Sequence, residues 1–425
     1  MDNKTNGPAA AGQRPTFGAR VRKSQSRGVA GMALVVASSC LLLASVATTT
    51  AVASPRIPAR TTLGKWIKLG LSQTAPAAAW RGPDNRDWVV WASARNGTYS
   101  LAIISPAGHL VVRPKTIITG WSGVTADPTL LPEGTKPLLV FSGQKGSGRL
   151  GQGCVVGALS ASPQWAVQSW SLSQNCVFSN VGYGDAAKSR SGQLSAAWAG
   201  GSGVEYRLGT SASIPAGSPD RQIALPSANA NSVAEANDLF GNGDTYVAFD
   251  RFFDRKASLD GVYVKNLTRN GPLLRAPQSG TESVSFPAQP QRVAMADASV
   301  HGGIYIAYCS NAGTCDRLLL WRVGARKAIR VPDSRRGLGV AMSRGPGGRL
   351  WLSWYSEQSN RVFVVQTNKA DNRFGRVRSY PAPCFADGNT HIALTGGSFG
   401  RVDVALECLS AGPVKPTVFL TQSLS

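Results

Sequence analysis

Hydrophobic and polar positions alternate in short runs along most of the chain, and glycine-rich turns separate these runs. The clearest example is Gly347-Gly348-Arg349-Leu350-Trp351-Leu352-Ser353-Trp354, which leads through a polar turn to Val362-Phe363-Val364-Val365. Short apolar-rich runs bounded by glycine are typical of β-strands joined by tight turns. Because runs of helical period are absent, we predict an all-β chain.

A strand that ends in a large apolar residue recurs seven times, at intervals of about fifty residues. Each copy follows a run of small residues and precedes a third strand and a more polar fourth strand. Four strands in a unit of this length are typical of a propeller blade. The sequence therefore predicts a seven-bladed β-propeller of four-stranded antiparallel blades over residues 63–425. The seven copies end at Trp91, Phe141, Trp198, Phe249, Tyr308, Trp354 and Leu406.

The last repeat is incomplete, because too few residues follow the strand at 417–420 to form a fourth strand. A spare strand, residues 65–69, precedes the first repeat. We predict that this N-terminal strand pairs with residues 417–420 and closes the ring. Such pairing would remove the exposed strand edges that invite aggregation.

Residues 1–53 have the composition of a secretory signal. A basic flank precedes an apolar run over residues 29–46, and the small-residue sequence Ala51-Val52-Ala53 follows. We predict that this signal is cleaved, that residues 54–62 form a short linker, and that the protein is secreted and meets the membrane only through its signal. Two alternatives remain open, namely an uncleaved anchor and a lipidated Cys40.

Six cysteines follow the predicted signal, an even number that is typical of disulfides in an exported protein. Propeller connectivity places all six at one end of the ring, where each adjacent pair could meet, although other pairings are formally open. The chain has no CxxC motif and only three histidines, so we expect neither a metal site nor a cofactor. The predicted pairs are Cys154–Cys176, Cys309–Cys315 and Cys384–Cys408.

The formal net charge is +22, and it stays strongly positive without residues 1–53, which contain six basic residues and Asp2. For an exported protein this charge favours contact with anionic polymers. The alternative is that scattered surface arginines maintain solubility. No nucleic-acid motif stands out, and we expect a monomer whose partner is a glycan, an anionic cell-wall polymer or a protein.

Two long loops between second and third strands are candidate binding loops. The loop 250–256 combines paired aromatic residues with alternating charges, a composition able to stack on a sugar ring and bind its polar groups. The alternative is that its phenylalanines cap the blade and its charges pair with each other. The candidate ligand-binding residues in the two loops are Lys145, Arg149, Asp250, Arg251, Phe252, Phe253, Asp254 and Arg255.

Acidic and basic residues also recur where the crossings enter the innermost strands, beside the central funnel. Carboxylates in a constricted funnel could act as general acid and base if burial raised one pKa. The alternative is that they are solvated or ion-paired caps. The weak catalytic candidates are Asp127, Asp185, Glu235, Asp238, Arg292, Arg336 and His391.

The unit at residues 349–379 resembles the repeats of sialidase-type propellers. Thr367 and Phe374 match the ends of their S-x-D-x-G-x-T-W box, but Lys369 and Asp371 stand where that box has Asp and Gly, and no intact box occurs elsewhere. The resemblance implies a propeller and a glycan-directed function. The family's three arginines, Tyr–Glu pair and acidic Asp have no motif counterpart here.

The leading interpretation is a secreted propeller that recognises a glycan, an anionic cell-surface polymer or a protein without catalysis. The alternative is a sialidase-like glycoside hydrolase that acts at the central funnel. A third possibility is a polysaccharide lyase, which would need a Tyr/His or Lys/Arg pair and a group that neutralises a carboxylate. Because fold alone does not confer an activity, whether the protein is an enzyme stays open at this point.

Overall fold

The computed structural model describes residues 65–93, 99–118, 121–122, 128–145, 154–160, 166–173, 184–200, 203–208, 221–230, 232–284, 293–298, 302–313, 315–384, 391–396, 401–408 and 417–424. The predicted signal (1–53) and linker (54–62) lie outside these residues. The chain divides into the units Met1–Ile57 and Pro58–Ser425, and all elements described below belong to the second. No helix among the described residues is both long and apolar enough to cross a membrane.

The described part consists almost entirely of β-strands. The first nine are β1 (Trp66–Arg81), β2 (Asp87–Ser93), β3 (Tyr99–Ile104), β4 (Leu110–Ile118), β5 (Trp121–Ser122), β6 (Thr129–Glu133), β7 (Lys136–Lys145), β8 (Cys154–Ser160) and β9 (Ala166–Ser173). The next eight are β10 (Gly184–Lys188), β11 (Leu194–Gly200), β12 (Gly203–Leu208), β13 (Arg221–Ala224), β14 (Val233–Asn237), β15 (Thr245–Arg251), β16 (Gly261–Asn266) and β17 (Leu274–Arg275).

The remaining strands follow a single helical turn, α1 (Thr281–Val284). They are β18 (Val293–Asp297), β19 (Ile304–Cys309), β20 (Leu318–Arg322), β21 (Ile329–Arg330), β22 (Gly337–Arg344), β23 (Leu350–Ser356), β24 (Arg361–Gln366), β25 (Arg378–Pro381), β26 (His391–Thr395), β27 (Arg401–Cys408) and β28 (Thr417–Leu424). Two 3₁₀ turns, Ala257–Leu259 and Pro346–Gly348, complete the described elements.

Antiparallel pairing joins these strands into blades. Four blades are four-stranded sheets in sequence order, β10–β13, β14–β17, β18–β21 and β22–β25. A fifth has the order β5-β7-β8-β9, with β6 also paired to β7. The other seven strands form one sheet in the order β26-β27-β28-β1-β2-β3-β4. The protein is thus an all-β propeller of antiparallel four-stranded blades.

The number of separate blades differs from the predicted seven, because β1 pairs along both of its halves. Its first half pairs with β28, from Trp66 opposite Thr421 to Leu71 opposite Thr417. Its second half pairs with β2, from Ala77 opposite Trp91 to Arg81 opposite Asp87. The described structure therefore shows five separate blades and one seven-stranded sheet. The contact between β1 and β28 is the pairing predicted for residues 65–69.

The innermost strands lie side by side around a central axis. Strands β6, β10, β14, β18, β22 and β26 each contact the next, and β1 contacts both β26 and β6. These strands carry small side chains, which let their backbones converge. The buried alanines on them include Ala77, Ala186, Ala234, Ala294 and Ala341.

The recurrent strand identified in the sequence is the second strand of each blade, and its large residues form the core between blades. Trp91, Phe141, Phe249, Tyr308 and Trp354 are all at most 1% exposed. Burying a side chain of this size contributes about 1.5–3 kcal/mol relative to leaving it exposed. The repeat therefore specifies the scaffold.

Antiparallel connectivity sorts the connections onto two ends of the propeller. We call one end the loop face, which carries the loops between second and third strands and the crossings between blades. The other end is the turn face, which carries the turns between first and second strands and between third and fourth strands. Residues 251–260 and 309–317 belong to the loop face, and residues 238–244 and 367–377 belong to the turn face.

Two of the three predicted disulfides are present on the loop face. Cys309 pairs with Cys315 and Cys384 pairs with Cys408, with Cα atoms 5.0 and 6.1 Å apart. The first closes the loop after β19, and the second ties a crossing to the end of β27. For the third predicted pair, Cys154 begins β8, whereas Cys176 lies outside the described residues.

Candidate functional site

The channel along the axis has two chambers. The upper chamber, of about 170 Å³, lies at the loop-face ends of the innermost strands, where the sequence predicts a funnel. Small and apolar residues line it, and Asp185 is its one described carboxylate. The lower chamber, of about 330 Å³, lies at the turn-face ends of the same strands.

Asp185 in the upper chamber ties three blades together. Its Oδ1 accepts hydrogen bonds from the Thr129 hydroxyl and the Ala186 backbone N–H, both at 2.8 Å. Its Oδ2 accepts the backbone N–H of Glu235 at 2.9 Å. Burial raises the pKa of Asp185 to about 6, although these three bonds oppose the shift. Because the neighbouring blades already use both oxygens, the carboxyl group is a structural link.

Glu235 lies beside Asp185 and lines the lower chamber, whereas Asp238 lies away from the predicted funnel. Glu235 is buried between blades, where the Ser195 hydroxyl donates to its Oε1, and burial raises the pKa of Glu235 well above its ordinary value. Asp238 follows the end of β14 and so lies on the turn face, where it accepts the backbone N–H groups of Gly303 at 2.8 Å and Asn242 at 3.1 Å. Placing Asp238 in the funnel was wrong, because β14 runs from one face to the other before this residue.

The other funnel candidates are also dispersed. His391 is buried at the start of β26, where burial lowers its pKa to about 3 and keeps the ring neutral. Arg336 is exposed on the crossing into β22, with a left-handed φ of 51°. Asp127 and Arg292 lie outside the described residues. Among the described candidates, Asp185 and Glu235 are therefore direct neighbours, whereas Asp238, His391 and Arg336 lie at separate places.

The described lining of the upper chamber does not include the groups that a sialidase-like mechanism needs. Its described lining includes no arginine to hold a carboxylate and no tyrosine to act as nucleophile. Across the described residues, no three His, Cys, Asp or Glu side chains come together as metal ligands. The described chamber is suited to water or to a narrow ligand, and its side chains do not form acid–base machinery.

A buried glutamate lies beside His391 at the junction of β1 with β27. Glu407 is directly opposite His391 in the β26–β27 pair, and the Ser72 hydroxyl of β1 donates to its Oε1. Its Oε2 has no partner among the described residues. Burial raises the pKa of Glu407 to about 8, so the carboxyl group is mostly protonated at pH 7.

We expect Glu407 to make the protein less stable as the pH rises. The folded protein holds this proton up to a pKa of about 8, whereas an unfolded chain releases it near pH 4.3. Its contribution is therefore fully present below about pH 4 and is lost by the time the pH exceeds 8. In thermal unfolding from pH 4 to 9, Glu407→Gln should flatten this decline and be more stable than wild type at pH 8. Parallel pH profiles of the two proteins would contradict the assignment.

The predicted binding loop 250–256 uses most of its charges internally. Asp250 accepts the Ser232 backbone N–H at 2.8 Å, and Arg251 pairs with Asp254. The backbone N–H of Lys256, and then the Arg251 side chain, hold the pKa of Asp254 below its ordinary value. These contacts match the alternative interpretation, in which the loop charges pair with each other.

Three side chains of this loop, those of Phe253, Arg255 and Lys256, face solvent. Phe253 is 64% exposed and packs edge-on against the half-buried Phe252, with ring centroids 4.9 Å apart. Arg255 is exposed beside it. In the other predicted loop, Lys145 ends β7, and Arg149 lies outside the described residues. The binding prediction for the loop 250–256 therefore depends on Phe253 and Arg255.

The structure brings together a basic surface that sequence reasoning missed. Exposed basic residues lie on the turn face of the blades β10–β13, β18–β21 and β22–β25, and we call them the basic turn surface. They are Arg190, Arg322, Arg326, Lys327, Lys369, Arg373 and Arg376.

The ring of Phe240 contacts two guanidinium groups on the turn face, one of which, that of Arg190, belongs to this surface. The Cζ atom of Arg190 is 5.1 Å from the ring centroid, and the Cζ atom of Arg344 is 4.6 Å from it. The three residues come from different blades, so the ring connects side chains of three blades on the turn face. Phe240 remains 43% exposed, so an aromatic edge lies within a field of positive charge.

The carboxylates near the basic turn surface are buried and already bonded. Asp238 bonds to backbone N–H groups, Asp297 pairs with Arg344, and Asp371 accepts the Thr367 hydroxyl. Asp244 accepts the Asn266 amide at 2.8 Å and pairs with Arg269 at 2.6 Å. Among the described turn residues of these blades, none of the exposed side chains is acidic. The surface therefore carries uncompensated positive charge.

No protein-family model and no curated protein matches the chain. Solved structures do resemble it. A prolyl endopeptidase has a TM-score of 0.43 and 12% identity over 82% of this chain and 50% of its own, so the chain spans about half of its length. The α-L-arabinanase of Penicillium chrysogenum complexed with arabinobiose has a TM-score of 0.45 and 10% identity, covering 76% of this chain and 99% of its own. The polysaccharide lyase Uly1 has a TM-score of 0.48 and 10% identity, covering 82% and 90%. The likeness concerns the fold, and two of these proteins are carbohydrate-active enzymes.

Proposed function

We propose that the protein recognises an anionic polymer, with an anionic glycan as the leading ligand, through its basic turn surface and without catalysis. The observation that carries this proposal is the set of exposed basic side chains on the turn face, where Arg190 lies against the exposed Phe240 ring and the described exposed turn residues of the same blades include no acidic side chain. A surface of one sign concentrates ligands of opposite charge and steers their approach. The exposed ring adds a face or edge on which a sugar can pack.

The proposed setting is a seven-bladed ring outside the cell. In this interpretation the seven-stranded sheet consists of two blades that share β1, whose halves pair with β28 and β2. The contacts of β1 with β26 and β6 support a ring closed by that strand. The two disulfides fit an oxidising compartment, and secretion through residues 1–53 belongs to the same proposal.

Removing three charges from the basic turn surface should weaken polymer binding strongly. The variant Arg326→Gln/Lys327→Gln/Lys369→Gln should bind polygalacturonate about tenfold more weakly, because local charge concentrates a polyanion. Wild-type binding should weaken with salt as the exposed charges are screened. Binding to immobilised polygalacturonate, polyphosphate and neutral dextran at several salt concentrations measures both effects.

A matched control removes the same charge from the loop face. The variant Arg255→Gln/Lys256→Gln/Arg336→Gln changes exposed residues only and should leave polygalacturonate binding within about twofold of wild type. A larger loss in this control than in the turn-face variant would assign binding to the loop 250–256 and defeat the proposed surface. Equal small losses in both would favour the solubility interpretation of the charge.

The alternative function is a sialidase-like hydrolase at the upper chamber. The observation that favours it is the raised pKa of Asp185, which lines that chamber and titrates near pH 6. A fluorogenic sialoside assay tests it directly. Turnover that disappears in Asp185→Asn, with folding intact, would replace the non-catalytic proposal.

A further inference from the structure

A pocket of about 360 Å³ opens on the loop face of the β18–β21 blade, with polar side chains around a mainly apolar lining. It lies between the edge of this blade and the crossing that leads from β17 to α1. Its volume is at the lower end of the range for small-molecule sites, about 300–1,000 Å³. The polar side chains that line it are Gln278, Ser310, Asn311, Asp316, Arg317 and Arg330.

The pocket has a rigid frame. The disulfide Cys309–Cys315 closes the loop, and inside it the backbone N–H of Asp316 donates to the Ala312 carbonyl at 2.8 Å. The backbone N–H of Asn311 donates to the Gln278 carbonyl at 2.8 Å, which fastens the loop to the crossing. This disulfide therefore restrains the loop that forms one wall of the pocket. Binding to a site that is already formed costs less conformational entropy.

A buried hydroxyl in the pocket lacks a partner. Ser310 is only 6% exposed, yet its Oγ bonds to none of the described residues. Buried polar groups in folded proteins are nearly always hydrogen-bonded, because an unpaired one destabilises the fold. A molecule that enters the pocket and reaches this hydroxyl, which is closed to solvent in this structure, would supply the missing hydrogen bond.

The charges of the pocket differ in their availability. The Asp316 carboxylate accepts the Arg317 Nε at 2.8 Å, so these two side chains hold each other in place. Arg330 is exposed on β21, and none of the described carboxylates lies within ion-pair distance of its guanidinium group. The pocket therefore contains the Arg330 guanidinium group, the Asp316 carboxylate held by Arg317, and the unpaired Ser310 hydroxyl.

We propose that this pocket binds a single acidic sugar residue of the hexuronate type. The Arg330 guanidinium receives the sugar carboxylate, since a planar guanidinium matches a carboxylate in shape and charge. Ser310 Oγ and Asp316 Oδ1, which lies 3.8 Å from Arg335 Nε, bond to the ring hydroxyls. The pocket lies on the face opposite to the basic turn surface, so it is a second binding site, separate from the surface proposed to bind the polyanion.

Titration calorimetry with D-glucuronate, D-galacturonate and D-glucose tests the pocket. A uronate should bind saturably and about tenfold more tightly than glucose, and Arg330→Gln should weaken it about tenfold, the effect of one charge-assisted hydrogen bond. Ser310→Ala should weaken the uronate while leaving the melting temperature unchanged or higher, because the variant removes an unpaired buried group. A purely structural serine would lower the melting temperature.

Lys115→Gln is the matched control, since it removes one exposed charge on β4, in a different sheet from the pocket, and should leave uronate affinity unchanged. Repeating the titration with a disaccharide that carries the uronate at its end distinguishes a free sugar from a chain terminus. The absence of saturable binding of any uronate would overturn the proposal. So would uronate binding that neither Arg330→Gln nor Ser310→Ala weakens. The basic turn surface variant should keep full uronate affinity, so the two proposals can fail separately.

Discussion

A chain that begins at residue 73 is expected to lose its cooperative fold, because it lacks the first half of β1. That half supplies the hydrogen bonds along the edge of β28, from Trp66 to Leu71. It also buries Leu69, 4% exposed, in one hydrophobic cluster with Trp91 and Leu420. Without it the β28 edge is open, and an open apolar edge is a template for aggregation.

Several further contacts are lost in the same truncation. The Trp66 Nε1 donates to the Pro381 carbonyl at 2.7 Å, and the Leu71 carbonyl accepts from Trp91 Nε1 at 3.1 Å. The truncation also removes Ser72, whose hydroxyl donates a hydrogen bond to the buried Glu407. A typical domain has a free energy of unfolding of only about 5–15 kcal/mol. We therefore expect the loss of these contacts, together with the exposed edge of β28, to unfold the protein.

The matched control is a chain that begins at residue 65, which keeps every described residue. It should show the same near-ultraviolet circular dichroism and melting temperature as the chain that begins at residue 54. The chain that begins at residue 73 should show no cooperative thermal transition and should sediment as aggregate. A soluble, cooperatively melting product from residue 73 would defeat both this prediction and the proposed closure by β1.

Much of the fold could be predicted from the sequence because the repeat is written in local patterns. The large apolar residues of the second strands, such as Trp354, mark each unit, and antiparallel connectivity then assigns each connection to a face. The pairing of residues 65–69 with the end of the chain followed from an incomplete last repeat. The division into sheets could not be predicted, because a single strand, β1, pairs along both halves.

The candidate site was harder to predict because its contacts join distant parts of the chain. Asp185 has partners 56 residues earlier, at Thr129, and 50 residues later, at Glu235, so its sequence neighbours do not reveal its structural role. Arg190 and Arg344 meet only across the ring of Phe240. One signal was present in the sequence: assigning each Lys and Arg to a turn or a loop would have revealed the basic turn surface.

A second large effect is expected from a buried ion cluster that joins β26 and β27 to β1 and β2. The cluster contains two arginines and two aspartates, each at most 8% exposed, so its charges balance. Arg81 Nε donates to Asp87 at 3.0 Å and Arg81 Nη2 pairs with Asp403, while Arg401 Nη2 pairs with Asp403 at 2.6 Å. A charge that is buried away from water destabilises the protein strongly unless it is paired with an opposite charge.

Asp403→Asn should therefore destabilise the protein by about 3–5 kcal/mol, the usual result of removing one partner from a buried pair. The change keeps the size of the side chain but leaves two buried guanidinium groups with one carboxylate. Asp84→Asn is the matched control, because Asp84 pairs with Arg86 at 3.5 Å and both side chains are about half exposed. Surface pairs of this kind contribute about 0–1 kcal/mol to stability. Urea unfolding of both variants gives the two losses of stability. Equal losses of stability in Asp403→Asn and Asp84→Asn would contradict the importance of burial. The double variant Arg401→Leu/Asp403→Leu should recover part of the stability, because it removes a charge that Asp403→Asn leaves without its partner.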